Sequence, residues 1–234
     1  MEENLQGVLW EGSRELGVGL SEEKVDAFNF FLEELMRWNK RVNLTSLRDP
    51  LDIVVKHFLD SLAVSPHLSP GCALLDIGSG AGFPCLALKI CDPSLQVTSI
   101  DSSQKKISFQ RHIIRQLGLD RIDTIHAHLP DLRVAETLYK SHDYVVSRAF
   151  GSLGTLLRIA RPFIKPAGVI IAMKGKIGMK EALEEKGIER MNMKLQKTIA
   201  FILPFTEATR TLLFFAEKGG CSRRSPQKRR IIDA

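Results

Sequence analysis

The chain has no apolar run that approaches the roughly 20 residues needed to cross a bilayer. Its first residues, MEENLQGVLWEGSRELG, carry acids where a secretory signal peptide carries bases, and they contain no long apolar stretch. We therefore expect a cytoplasmic protein without a membrane partner.

Cysteine is also scarce. The four cysteines form no C-x-x-C pair, and they are Cys72, Cys85, Cys91 and Cys221. This spacing argues against a structural zinc site and against a disulfide framework. We expect no metal site and reduced, packed thiols.

Basic residues exceed acidic ones, with a net charge of +6. One group lies in MRWNKRVNLTSLRD and comprises Arg37, Lys40, Arg41 and Arg48; another lies near the C-terminus and comprises Arg223, Arg224, Lys228, Arg229 and Arg230. Both fit contacts with a polyanion, and both equally fit a solvated helix end and a disordered tail. The charge permits a nucleic-acid partner without requiring one.

The N-terminal part of the sequence has the apolar spacing of helices. Ser21 is a candidate N-cap for one helix, and Asp49 is a candidate N-cap for a second helix with Pro50 in its first turn. The breaker-rich stretch SPHLSPG follows. We expect a small helical extension over residues 1–70.

From Ala73 onward, short apolar runs alternate with helical segments. ALLDI, LQVTSI, DTIHA, YVVS and GVIIAM predict five buried strands, and LQKTIAFILPF with RTLLFFAEK predicts a closing antiparallel pair. A helical signal in GKIGMKEALEEKG fades before that pair, and Gly118 stands at the C′ position of an earlier helix. The pattern predicts an α/β domain over residues 71–218, mostly parallel with an antiparallel edge strand, and a basic, disordered tail over 219–234.

The turn after the first predicted strand reads Gly78-Ser79-Gly80-Ala81-Gly82. Glycines there let a ligand approach the backbone closely. The dinucleotide fingerprint G-x-G-x-x-G would place its third glycine at position 83, where this chain has Phe83, and Pro84 removes an N–H near the helix start. Both departures argue against a pyrophosphate ligand and against a nicotinamide oxidoreductase.

Asp101 ends the second predicted strand, 19 residues beyond Gly82. A carboxylate there can accept hydrogen bonds from both ribose hydroxyls of an adenosine, or it can cap the helix that follows. The glycine turn and Asp101 together form a pattern that resembles that of the class I S-adenosylmethionine-dependent methyltransferases. The resemblance implies a Rossmann-like sheet.

Four further stretches carry a closer resemblance: RWNKRVNLTSLRDP, VKHFLDSL, GAGFPCLALKI and DYVVSRAFGSL. In this order they resemble the bacterial glucose-inhibited division protein B family, RsmG, from about Phe28 to Lys218. The resemblance implies methylation of N7 of a guanine in 16S ribosomal RNA, with S-adenosylmethionine as cofactor. It also implies 16S RNA or the small ribosomal subunit as partner, and we expect a monomer.

The resemblance also implies cofactor-binding residues. They are Gly78 and Gly80 in the turn, Phe83, Asp101, the pair Leu129-Pro130 after the third strand, and Arg148 in SRAF. The family usually has an acid at position 130, so its role falls to Asp131 or to the backbone N–H of Leu129. Cys85 is a second departure, since the family usually has glycine there.

Methyl transfer to guanine N7 needs alignment rather than a general base, because N7 attacks through a lone pair and carries no proton. We therefore assign no catalytic residue. Arg148 or Lys174 is a candidate for holding the N7/O6 edge of the base. His57 and Asp60 either line the pocket wall or tie the helical extension to the sheet.

Two other functions stay open from sequence. One keeps the cofactor and changes the acceptor to another RNA position, a protein or a small molecule. The other is a non-catalytic RNA-binding protein of the same fold.

Overall fold

The computed structural model describes residues 3–148, 150–175, 188 and 191–219. Its helices are α1 (Glu3–Glu15), α2 (Glu22–Asn39), α3 (Pro50–Ile53), a π-helix (Val54–Leu59), α4 (Asp60–Leu62), a 3₁₀ turn (Ser65–His67), α5 (Cys85–Cys91), α6 (Gln104–Gln116), α7 (Leu132–Thr137), α8 (Leu153–Ala160) and a second 3₁₀ turn (Arg161–Phe163). Its strands are β1 (Ala73–Ile77), β2 (Gln96–Asp101), β3 (Ile122–His126), β4 (His142–Arg148), β5 (Ile164–Gly175), β6 (Met193–Ile202) and β7 (Thr209–Glu217).

The strands form one seven-stranded sheet in the order β3-β2-β1-β4-β5-β7-β6. Strands β1 to β5 are parallel, and β7 runs antiparallel to both β5 and β6. The predicted α/β class and the antiparallel closing pair are confirmed, with β6 at the edge and β7 one position inward. The chain leaves β1 toward β2 and returns to its other side at β4, so the strand order reverses between β1 and β4.

Apolar side chains cover both faces of the sheet. Leu74 packs in the core beneath the N-terminal helices, α5 and α6, whereas the next residue, Leu75, packs in the core beneath α8. Val146 and Val145 divide between the same two cores. This alternation follows from the strand geometry, in which successive side chains point to opposite faces.

The N-terminal helices share a core with the sheet. Phe31 of α2 stacks on Phe83, with ring centroids 5.1 Å apart, and it also packs against Phe58 and Phe109 at 5.4 and 6.0 Å. All four rings are buried. The helical extension is therefore packed directly on the part of the sheet that carries the glycine turn, and the boundary at residue 70 stays a prediction.

The local signals read from sequence have mixed outcomes. Asp49 caps α3 by accepting a hydrogen bond from the Asp52 N–H at 3.0 Å, and Gly118 has φ of +59° after α6, both as predicted. Ser21 occupies the N-cap position of α2, but its side chain makes no capping hydrogen bond. The helix that Asp49 begins changes to π geometry at Val54, which the periodicity did not indicate.

The predicted helical signal at 176–187 and the predicted tail beyond Gly219 lie outside the described residues. Within the described part of the chain, no helix is long and apolar enough to span a membrane.

Candidate functional site

The glycine turn lies at the carboxyl end of β1, next to the position where the strand order reverses. Gly78 donates its N–H to the carbonyl of Ile100 at 2.9 Å and has φ of +73°. A Cβ at this position would lie 3.0 Å from Cδ2 of Phe150. Both the backbone conformation and the close approach of Phe150 therefore favour glycine at position 78.

Asp101 lies across from this turn at the end of β2. Its Oδ2 accepts a hydrogen bond from the Gly80 N–H at 2.8 Å, and its Oδ1 accepts one from the Ser103 N–H at 2.8 Å. The carboxylate thus holds the glycine turn and also bonds the residue that precedes α6. Each carboxylate oxygen has a second lone pair, which can accept a hydrogen bond from a ligand hydroxyl.

A buried polar network supports the turn from below. The Gln110 side-chain amide donates to Ser79 Oγ at 2.8 Å and to the Gly80 carbonyl at 2.7 Å, while Ser99 Oγ lies 2.7 Å from Ser79 Oγ and 2.6 Å from Gln110 Oε1. Buried polar groups of this kind are costly unless they are paired, so the network favours one turn conformation. Sequence reasoning missed it; the one available signal was a glutamine on the apolar face of α6.

A cleft with a volume of about 120 Å³ opens beside Gly78 and Asp101. It is lined by Ile77, Gly78, Ile100, Asp101, Ser102, Ala127, His128, Leu129 and Phe150. Gly78, Asp101 and Leu129 were expected at the cofactor and lie together here; His128 and Phe150 were not singled out from sequence.

The residues after Leu129 turn away from this cleft. Pro130 and Asp131 line a different, mostly apolar cavity beside α7 and α8. Asp131 Oδ1 accepts hydrogen bonds from the N–H groups of Arg133 and Val134, so it caps α7. The hypothesis that Asp131 replaces the missing acid at position 130 is therefore not supported by its position, whereas His128 does lie in the cleft.

Phe83 does not line the cleft. Its ring stacks on that of Phe31, with centroids 5.1 Å apart, and on that of His57, with centroids 4.5 Å apart. The guanidinium carbon of Arg148 lies 5.3 Å from the centre of the same ring. Phe83 thus connects the end of the glycine turn with the N-terminal helices.

Arg148, at the end of β4, is held by the π-helix and α4. Its Nη1 donates to the Lys56 carbonyl at 3.0 Å and lies 3.5 Å from Asp60 Oδ2, and its Nη2 lies 3.0 Å from His57 Nδ1. Asp60 also pairs with Arg210 of β7 at 3.0 Å. His57 and Asp60 therefore tie the helical extension to the sheet, one of the two roles expected from sequence, and they do so through Arg148.

Asp76 and Cys85 lie beneath the glycine turn, and both are fully buried. Asp76 Oδ2 accepts the Cys85 N–H at 3.0 Å, and Oδ1 has no hydrogen-bond partner among the described residues. Burial raises the pKa of Asp76 to about 7, although the hydrogen bonds from Cys85 oppose the shift. Burial also raises the pKa of the Cys85 thiol well above its usual range, which disfavours the thiolate that a cysteine nucleophile needs.

No group of three or more histidine, cysteine, aspartate or glutamate side chains in the described ranges is arranged to hold a metal ion. The candidate site consists of the cleft, the glycine turn and the cluster around Arg148.

Comparison with solved structures places the fold in a known class. A SAM-dependent methyltransferase from Aquifex aeolicus matches with a TM-score of 0.53 and 16% identity, covering 71% of this chain and 93% of that one. A predicted O-methyltransferase from Agrobacterium tumefaciens matches with a TM-score of 0.56 and 20% identity, covering 70% and 83% of the two chains. The fold is that of the class I methyltransferases.

Sequence relatives narrow the class to a family. The model of the GidB family, described as rRNA small subunit methyltransferase G, matches residues 24–212. Proteins named ribosomal RNA small subunit methyltransferase G are 42% identical in Geobacter sulfurreducens, covering 88% of this chain and 94% of that one, and 36% identical in Acetivibrio thermocellus, covering 89% and 87%. This chain belongs to the rRNA small subunit methyltransferase G family, and the resemblance read from its motifs is confirmed.

Proposed function

We propose that this protein transfers a methyl group from S-adenosylmethionine to N7 of a guanine in 16S ribosomal RNA. The observation that carries the proposal is the cleft at the ends of β1 and β2, where Gly78 and Asp101 meet in a chain of this methyltransferase family. The same family membership supports 16S RNA, or the small subunit that contains it, as the partner. We further propose that the protein acts in the cytoplasm as a monomer.

The residues of the cleft fit an adenosyl group. The Asp101 carboxylate offers acceptors for ribose hydroxyls, and Gly78 leaves room for close approach because it has no side chain. Ile100 and Leu129 supply apolar surface on which an adenine ring can pack.

S-adenosylmethionine supplies a methyl group on a positively charged sulfur, which is already an activated leaving group. The protein then has to bring the acceptor into line and exclude water, and proximity and orientation of this kind account for large rate accelerations. Guanine N7 carries no proton, so this acceptor needs no general base, and neither Asp101 nor His128 of the cleft lining is required to act as one. Cys85, buried and with its thiol pKa raised, is unsuited to the covalent chemistry that pyrimidine carbons need.

The N7/O6 edge of guanine accepts hydrogen bonds from lysine or arginine. Lys174 and Arg148 lie on the adjacent strands β5 and β4, at the end of the sheet where the cleft opens, and Lys174 Nζ donates to the Gly151 carbonyl at 3.2 Å. The guanidinium of Arg148 is engaged by Lys56, His57 and Asp60. We propose that Lys174 contacts this edge of the base and that Arg148, fixed at the end of the neighbouring strand, lines the acceptor end of the site with it.

The basic residues near the end of α2 supply an RNA-facing surface. Arg37, Lys40, Arg41 and Arg48 are all exposed. Phosphate contacts made by such residues release counterions, so RNA affinity should fall steeply with added salt. Affinity that stays constant between low and moderate salt would exclude this surface as a phosphate-binding site.

The direct test incubates the protein and labelled S-adenosylmethionine with 16S RNA and with small subunits, followed by mass mapping of the nucleosides. We expect label in one 7-methylguanosine. Label at another RNA position or in protein would show that the acceptor is not N7 of a guanine in 16S RNA. Failure to bind S-adenosylmethionine by calorimetry would instead favour a non-catalytic RNA-binding protein.

A further inference from the structure

A chain of hydrogen bonds connects the basic loop, residues 40–48, with the end of β4. The Asn39 side chain closes this loop: its Oδ1 accepts from the Leu44 and Thr45 N–H groups at 2.9 and 3.1 Å, and its Nδ2 donates to the carbonyls of Thr45 and Leu47. The loop is thereby fixed around Thr45. Thr45 Oγ1 then lies 2.8 Å from His57 Nε2.

The other ring nitrogen of His57 identifies its tautomer. Nδ1 lies 3.0 Å from Arg148 Nη2, and a guanidinium can only donate, so Nδ1 accepts and Nε2 carries the proton that Thr45 Oγ1 accepts. Nδ1 also lies 3.2 Å from the Lys56 carbonyl, but the Nδ1–H form that would donate to this oxygen would place two donors, Nδ1–H and the Arg148 Nη2–H, against each other. Burial and the charge of Arg148 lower the pKa of His57 to about 3, so the ring stays neutral.

Arg148 receives its orientation from this arrangement. Its side chain is 19% exposed and is held by His57, the Lys56 carbonyl and Asp60, while its guanidinium lies over the Phe83 ring. Three of these contacts, those with Lys56, His57 and Asp60, come from the π-helix and α4, which follow the basic loop in the chain. The position of the guanidinium at the end of β4 is thus set by the N-terminal extension as well as by the sheet.

We propose that Thr45 and His57 are positioning residues, which hold Arg148 for methyl transfer and connect the RNA-facing basic loop with the acceptor end of the cleft. This inference rests on the proposed function, because it assigns a task to residues of the same site. It gives the helical extension a role in the reaction beyond packing.

The test compares matched variants. Thr45→Val removes the hydroxyl at nearly constant shape, and Thr45→Ser keeps it. His57→Asn keeps an acceptor near the Nδ1 position, and His57→Leu removes it. Each variant is assayed for kcat, for KM toward small subunits, for S-adenosylmethionine affinity by calorimetry, and for thermal stability.

Thr45→Val removes two hydrogen bonds of Oγ1, the one with His57 Nε2 and the one accepted from the Leu47 N–H at 3.2 Å. We expect loss of the His57 bond to lower kcat about fivefold and loss of the Leu47 bond to lower thermal stability, with KM and cofactor affinity within about twofold of wild type. Thr45→Ser should retain most of the rate, and His57→Asn should retain more than His57→Leu. In a double-mutant cycle, Thr45→Val should cost little more once Arg148→Lys is present, because both act through one guanidinium. A Thr45→Val effect confined to thermal stability or KM would overturn the inference. So would a double variant whose loss in kcat equals the product of the losses in the two single variants.

The ring tautomer gives a readout that does not depend on activity. Nitrogen-15 shifts of His57 should show the Nε2–H form in the wild type, and a predominant Nδ1–H form would contradict the network. A wild-type protein that transfers no methyl group would overturn the proposed function, and with it the catalytic task of Thr45 and His57. An active wild type with an unaffected Thr45→Val variant would overturn only the inference.

Discussion

The Asp101 carboxylate accepts the Gly80 N–H at 2.8 Å, so the acid that ends β2 closes the turn that follows β1. Two strands that are neighbours in the sheet thereby share one binding edge. The same carboxylate lines the cleft, so its ability to hold a ribose and its hold on the turn are parts of one arrangement.

Substitution of Asp101 by Asn should weaken S-adenosylmethionine binding about tenfold to a hundredfold. Asn has one acceptor oxygen, so it can keep the bond from the Gly80 N–H only by turning its NH2 group toward the Ser103 N–H. It also loses the charge that strengthens hydrogen bonds from ribose hydroxyls. Calorimetric titration measures the effect. Asp123→Asn, an exposed change on β3, is the matched control, and equal affinity in the two variants would rule out the ribose contact.

Gly78 and Gly80 provide a second comparison within the turn. Both have positive φ, so alanine at either should cost about 1–2 kcal/mol of stability through backbone strain. At Gly78 the new Cβ would also lie 3.0 Å from Phe150, whereas at Gly80 no atom lies within 4 Å. Gly78→Ala should therefore reduce the free energy of unfolding more than Gly80→Ala in urea titrations. The reverse order would show that the Phe150 ring moves aside without loss of stability.

The strands of the sheet could be predicted from the sequence because the buried strands are continuous apolar runs. ALLDI and LQVTSI correspond to β1 and most of β2, and their acid-ended pattern located Gly78 and Asp101 at one edge. These features depend on local composition and on the general rule that parallel strands end at a common edge.

The surroundings of Arg148 could not be obtained in this way. Its contacts with His57 and Asp60 join residues about 90 positions apart, and they depend on how a π-helix packs on the end of β4. Neither the π geometry nor the stacking of Phe83 on His57 has a periodic signal in the sequence. The resemblance identified Arg148 as a site residue, but only the fold shows what holds it.

His128 is the candidate that structure adds to the cofactor site. It is exposed and lines the cleft, whereas Asp131 caps α7 beside the other cavity. His128→Ala should reduce S-adenosylmethionine affinity about fivefold, which corresponds to one hydrogen bond, and Asp131→Asn should leave it unchanged. Competition with S-adenosylhomocysteine can measure both affinities. A loss of affinity seen only in Asp131→Asn would show that Asp131, and not His128, takes the role of the acid that the family usually has at position 130.

Acid should destabilise the fold through its buried histidines. Burial lowers the pKa of His57 to about 3 and that of His142 to about 4, so below pH 6.5 the unfolded chain binds a proton on each ring that the folded chain excludes. Each histidine then removes up to about 1.4 kcal/mol of stability per pH unit as the pH falls from 6.5 toward 4. Asp76 acts in the opposite sense, because its raised pKa of about 7 lets the folded chain keep a proton that the unfolded chain releases above pH 3.8.

The net slope of stability against pH can therefore be changed in both directions. Relative to wild type, Asp76→Asn should make the loss between pH 6.5 and 4.5 steeper, since the opposing contribution is removed. His142→Gln should make the loss shallower, since one excluded proton is removed. Urea unfolding at pH 7, 6 and 5 measures these slopes, and the contributions of the remaining carboxyl groups are common to all three proteins. A shallower slope in Asp76→Asn would mean that Asp76 is ionised in the folded protein, paired with a cation such as Arg148, and that its buried carboxylate stabilises the fold near neutral pH.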